Sequence, residues 1–129
     1  MEVKIKISIG ELVDKITILE IKREMIGDKS KQKNVIHELE HLEDKLNEVI
    51  SEKEAELEKL TEKLKKVNKQ LWIIEDEIRR LENLKNFEDE FIKLARSVYI
   101  TNDKRFELKN EINELFSSEI KEVKSYEKY

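Results

Sequence analysis

The sequence predicts an all-α protein, an antiparallel bundle of about four long helices with coiled-coil-like hairpins and a short extended N-terminal arm. Three observations lead there. Charged residues make up 43% of the 129 positions and apolar ones 38%, with no proline and two glycines. A chain so rich in Glu, Lys and Leu, with so little to break it, favours long amphipathic helices. Apolar residues recur at spacings of three and four, the period of one helix face. Ser-x-x-Glu signatures stand where two of those runs begin, which is how a helix start is written. At this length the chain 1–129 is expected to form a single domain.

The elements follow in order. Val3, Ile5, Ile7 and Ile9 alternate with polar residues, which suggests a short strand or extended arm over 1–9. Ser8 and Glu11 form a capping box that opens a helix over 10–27, with Gly27 as its left-handed C′ residue. Leu12, Val13, Ile16, Ile18, Leu19 and Ile21 spread over more than one side of it. A helix that apolar lies at the centre of the fold or at an oligomer interface.

From Lys31 to Leu84 the pattern resembles one very long helix, but its seam slips. Val35, Leu39, Leu42, Leu46 and Val49 step by four and three, and the series from Ile50 through Leu57, Leu64, Leu71 and Ile78 continues out of phase. A second capping box, Ser51 with Glu54, stands at the slip. The expectation is a tight turn at 50–53 between helices 30–50 and 54–84. A continuous coiled coil with a skip is the alternative. Asn86 then caps a last helix, 87–117, whose seam is Phe87, Phe91, Leu94, Val98, Leu108, Ile112 and Leu115, and a polar tail 118–129 follows.

Several function classes are set aside by composition. Without cysteine there is no disulfide framework and no thiolate metal site. The alternating N-terminus is not a signal peptide, and no apolar run reaches the ~20 residues that span a bilayer. A net charge of −4 with both signs interspersed does not make a nucleic-acid footprint. The run Lys63, Lys65, Lys66, Lys69 is flanked by acids and reads as a solvated face. A soluble cytoplasmic protein is the expectation, with no nucleic-acid or membrane partner.

A polar cluster can be located by arithmetic. If helices 3 and 4 fold back at 84–87, residues whose numbers sum to about 171 share a level. Trp72 then lies beside Tyr99, and Glu75 and Asp76 beside Arg96. Arg96, Tyr99 and Asp103 share one helix face, and Glu75 and Arg79 another. Arg105, and either Thr101 or Asn102, interrupt the apolar seam of helix 4. Folding helices 1, 2 and 3 back on one another brings Glu20 level with Arg105 and makes them salt-bridge partners. Burying such ions is costly unless they are paired. They either fix which helix meets which, or they form a site. In that site Arg96, Arg105 and Lys109 would meet a phosphate or carboxylate while Tyr99 and Asn102 orient it.

Three strings, Gly10-Glu-Leu-Val-Asp-Lys-Ile-Thr-Ile-Leu-Glu-Ile-Lys22, Leu71-Trp-Ile-Ile-Glu-Asp-Glu-Ile-Arg79 and Leu94-Ala-Arg-Ser-Val-Tyr-Ile-Thr-Asn-Asp-Lys-Arg105, resemble an uncharacterised bacterial family of short helical proteins, a domain of unknown function. The likeness continues to Tyr126. It implies no established activity. It does imply a polar signature at Glu11, Asp14, Lys15, Glu20, Trp72, Glu75, Asp76, Arg79, Arg96, Tyr99, Asn102, Asp103, Arg105, Lys109 and Asn113. Segment 29–66 carries none of these strings.

His37-Glu38-Leu39-Glu40-His41 matches the zinc-protease motif literally. Both histidines lie off the seam of Val35, Leu39 and Leu42, so they are expected to face solvent and leave a zinc site incomplete. Acid pairs such as Glu11/Asp14 and Glu111/Glu114 resemble magnesium sites of helical nucleotide hydrolases, a spacing that 30 acids produce by chance. No cofactor and no metal are expected. The leading reading is a non-enzymatic interaction or assembly module, acting as a homo-oligomer or docking a partner through helix 1. The alternative is a bundle that binds a small molecule or anion through Glu20, Trp72, Glu75, Asp76, Arg79, Arg96, Tyr99, Asn102, Asp103, Arg105 and Lys109. An all-helical metal-dependent enzyme comes third.

Overall fold

A computed structural model describes residues 1–118 and 122–129; the stretch 119–121 of the expected tail lies outside them. Four helices carry the fold: α1 (Ile9–Met25), α2 (Lys29–Val49), α3 (Glu54–Asn83) and α4 (Asp89–Leu115). The all-α bundle expected from the pattern is what forms. The arm before Ser8 is neither helix nor strand, and its Val3 and Ile5 are exposed. Its period-two pattern therefore pairs with nothing among the described residues.

Helix ends show which local signals acted. Ser8 Oγ accepts from the Glu11 amide at 3.1 Å, the first half of the capping box. The Glu11 carboxylate does not close it, because it reaches Lys109 instead, at 2.8 Å. Gly27 does not take the left-handed conformation. The free carbonyls at the end of α1 are met by the Gln32 side chain, which donates to the carbonyls of Arg23 and Ile26. Asp28 caps α2, accepting from the Lys31 amide at 3.0 Å.

The turn at 50–53 is real, so the continuous coiled coil is excluded, but Ser51 does not cap it. Lys53 stands at the start of α3 in the left-handed region (φ 59°) with no side-chain cap, and its ammonium donates to the Leu115 carbonyl at 2.9 Å. The long-range contact overrides the local box. Asn86 likewise does not begin α4. Its Oδ1 accepts from the Glu88 amide at 3.2 Å, and the helix starts at Asp89.

Packing is organised around α1, which meets all three other helices, while α3 and α4 pack on each other and α2 packs on α1. One core joins Leu12, Ile16 and Leu19 to Val35 and Leu39. The other joins Val13 to Leu57, Leu64 and Ile112. This resolves the choice the sequence left open: α1 is apolar on several sides because it is central. Leu12, Val13, Ile16, Leu19 and Ile21 are buried inside the chain, while Ile18 is half-buried and Met25 exposed. Helices α2 and α3 do not pack as a hairpin, since α1 intervenes. The hairpins are α1 with α2 and α3 with α4. Near 45 Å, α3 is some 20 Å longer than α1, so the α3–α4 pair runs on beyond it as a two-helix arm.

Candidate functional site

The polar centre begins at Asp14, on the α1 face that meets α3 and α4, where the residue is 1% exposed. Its carboxylate accepts from Arg105 of α4 in two bonds, Nε at 2.9 Å and Nη2 at 2.5 Å. This fork matches guanidinium to carboxylate geometry. Asn68 of α3 adds a third bond, Nδ2 to Asp14 Oδ1 at 2.9 Å, and also donates to Thr17 Oγ1 at 2.9 Å. The Thr17 hydroxyl in turn donates to the Asp14 carbonyl at 2.8 Å. Burial pushes the Asp14 carboxyl up, but the bonds from Arg105 and Asn68 prevail and hold it below its ordinary value. The same contact holds Arg105 firmly charged.

One turn further along α4 lies Lys109, 6% exposed. Its ammonium is shared by Glu11 at 2.8 Å and by Glu122, beyond the end of α4, at 2.6 Å. Burial alone would pull its pKa down; the two carboxylates raise it. The close approach of α1 and α4 depends on Gly10, whose amide donates to Asn113 Oδ1 at 2.7 Å. A Cβ there would run into the Lys109 carbonyl and the Asn113 side chain. The segment 122–129 is tied to α4 by Lys124 on Asp103 at 2.8 Å and by Tyr129 packed edge-on to Tyr99. The Lys124 ammonium also lies over the Phe106 and Tyr126 rings.

Two clefts flank this centre. The larger, about 770 Å³, lies between α4 and the C-terminal segment. The smaller, about 330 Å³, opens where α1, α3 and α4 meet. Of the expected site residues, Tyr99, Asn102, Asp103, Arg105 and Lys109 line the larger. Trp72, Glu75, Asp76 and Arg79 line the smaller, and Arg105 lines both. Trp72 and Tyr99 thus line different clefts.

The expected Glu20–Arg105 salt bridge does not form, and Arg96 does not pair with Glu75 or Asp76 at the level they were expected to share. Glu20 pairs with Lys65 at 3.0 Å, not with Arg105. Matching levels along the helices gives a height but no facing direction, and the α1 residue that faces α4 is Asp14. Glu75 pairs with Arg79 on its own helix at 3.2 Å, and Arg96 is exposed and makes no ion pair with a described residue. On the lysine run, Lys65 and Lys69 hold Glu24 at 2.7 and 3.5 Å. That half of the expected solvated face is a strut between α3 and α1.

Thr17, Asn68, Glu122 and Lys124 were not legible as site residues; Asn113 entered only through the family likeness, and Glu11 and Asp14 through it and as an acid pair. A signal existed for one of them: Asp14 is a carboxylate among apolar residues of α1, whereas the seam step of α3 beside Asn68 is already taken by Val67. His37 and His41 are exposed. Among the described residues there is no group of three or more His, Cys, Asp or Glu placed to hold a metal ion, and no helix long and apolar enough to cross a membrane.

Fold and site together define a helical bundle organised around a buried Asp–Arg–Asn centre with open clefts on either side. The chain belongs to a family of unknown function, DUF6165, whose model matches residues 3–129; the resemblance read from its three strings is to an uncharacterised family of this kind. No curated protein and no solved structure matches it.

Proposed function

We propose that the protein is a small-molecule-binding helical module, without catalytic chemistry of its own, whose ligand carries a carboxylate or phosphate into the larger cleft. The observation that carries this reading is Lys109. A buried ammonium faces a cleft of metabolite size whose walls combine aromatic rings (Tyr99, Phe106, Tyr126, Tyr129) with charged and polar groups, Asn102, Arg105 and Lys124 among them. Aromatic walls with cationic donors between them suit a small ligand that carries an anionic group. Glu122 then acts as an internal stand-in, its carboxylate holding the place on Lys109 that a ligand anion would take.

Titration with phenyl phosphate and with benzoate, followed by amide shifts in two-dimensional NMR, tests it. Saturable shifts centred on α4 are expected, about tenfold weaker in Lys109→Met and several-fold tighter in Glu122→Gln, where the competitor is neutral. Non-saturable shifts, or equal affinity in all three proteins, would remove the reading. The melting of each variant is followed in parallel.

A second reading, self-assembly, rests on a different surface from the one expected on helix 1. Ile73, Leu84, Phe87 and Ile92 are all about half exposed on the α3–α4 arm, more apolar surface than a two-helix projection needs to leave in water. Sedimentation of the parent and of Ile73→Glu distinguishes a dimer from a monomer.

A further inference from the structure

The smaller cleft has its own chemistry, and it differs from that of the larger one. Its floor is the far side of the Asp14 centre. A guanidinium has five N–H groups, and Asp14 takes two of them, so three remain without a partner among the described residues. Asp14 is an acceptor only, so the Asn68 group bonded to it must be the NH₂. That NH₂ is fully used on Asp14 and Thr17. The Asn68 carbonyl oxygen therefore points elsewhere and makes no hydrogen bond with a described residue. Asn110 Oδ1 is the only buried, unpartnered side-chain polar atom among the described residues, so Asn68 Oδ1 reaches accessible space. The cleft that Asn68 lines is this one. Asn68 itself is 5% exposed, and its amide is held by two side chains of α1, Asp14 and Thr17.

The cleft is thus lined by both a residue with free donors, Arg105, and one with a free acceptor, Asn68. Their natural complement is a group that both accepts and donates, which a hydroxyl does and a carboxylate does not. One wall is Trp72, half-buried, with Leu71, Ile18 and Ile21. The rim carries Glu75, Asp76 and Arg79, and Arg105 is already neutralised by Asp14, so the balance of charge is one negative. An anion is disfavoured there. The volume of about 330 Å³ lies at the low end of small-ligand sites and suits a single six-membered ring. We propose that this cleft binds a neutral or amino-substituted sugar ring. Its C–H face lies on Trp72, one hydroxyl bridges Arg105 and Asn68 Oδ1, and others donate to Glu75 and Asp76. This site does not depend on the anion reading of the larger cleft, which rests on Lys109.

Trp72 is the only tryptophan in the chain, so its emission reports on this cleft directly. The probes are glucose, galactose, N-acetylglucosamine and glucosamine, with glucuronate and inorganic phosphate as anionic counterparts. A saturable change in emission is expected with at least one of the first four, with Kd on the order of 1 mM. It should weaken at least fivefold in Glu75→Ala and in Asp76→Ala, whose exposed positions leave the fold intact, and stay unchanged in Lys109→Met. Absence of saturation with all four would overturn the proposal. So would a response equal in the Glu75 and Asp76 variants, or one stronger with glucuronate or phosphate than with the uncharged sugars. Loss of the response in Lys109→Met, with melting unchanged, would also overturn it, by placing the ligand in the larger cleft.

Discussion

Asp14 and Lys65 make the same kind of bond, carboxylate to cation, with very different consequences. The Asp14 side chain is 2% exposed and that of Arg105 30%, so removing one partner strands a desolvated charge. Arg105→Leu should cost about 3–5 kcal/mol in urea unfolding, whereas the double change Asp14→Leu with Arg105→Leu should recover most of it. Lys65→Met, which breaks the partly exposed bridges to Glu20 and Glu24, should cost less than about 1 kcal/mol. Acid should expose the same difference. The carboxyl of Asp14 is held below its ordinary 3.8 in the fold, so its stabilisation is present above that pH and is lost as the pH falls through the folded value. Asp14→Asn should therefore show a smaller loss of stability than the parent between neutral pH and about pH 3. Lys109 has the opposite sign. Raised above 10.5, it contributes fully below that pH and loses its contribution as the pH rises through the folded value, so Lys109→Met should flatten the alkaline limb.

At the scale of the element, two helices end in the same way without the residue usually found there. Beyond α3, the Lys85 amide bonds Glu82 O at 3.1 Å and the Asn86 amide bonds Leu81 O at 3.0 Å. Beyond α4, Ser117 bonds Glu114 O at 3.2 Å and Ser118 bonds Asn113 O at 2.9 Å. Both are Schellman closures, and both place a non-glycine at positive φ, 56° for Lys85 and 50° for Ser117. A side chain there costs about 1 kcal/mol or more. Lys85→Gly should raise the melting temperature by a few degrees. The same reasoning reverses at Gly10. An alanine methyl must push α1 off α4, and Gly10→Ala should destabilise by about 1–3 kcal/mol while leaving isolated helix content intact by circular dichroism. Helix existence was legible from periodicity at this scale, and helix starts less so. The Ser8 cap formed because nothing competed for its hydroxyl. The Ser51 box failed because Lys53 is held by the Leu115 carbonyl, 62 positions away.

Across the whole molecule, the difference in helix length decides the shape. α1 has 17 residues and α3 has 30, so the bundle is deep at one end and only two helices thick at the other. The seam there is buried at Leu81, 2% exposed, while Leu84 and Phe87 remain open at the tip. If the arm pairs with a second copy, the parent should sediment as a dimer at micromolar concentration and Ile73→Glu or Ile92→Glu as a monomer, with melting little changed. A monomeric parent would leave the clefts as the molecule's functional surface.

The sequence by itself determined the helical class and placed the break near residue 51, because both follow from local hydrogen-bonding geometry and from apolar periodicity along one chain. It also marked Arg105, and either Thr101 or Asn102, as polar residues out of place on the α4 seam. Only the tertiary structure decided that Arg105 answers to Asp14 rather than Glu20, and that the chosen residues divide between two clefts. Pairing depends on how helices are rotated about their axes and on which helix intervenes. Both are set by packing summed over the entire core rather than by any spacing in the chain.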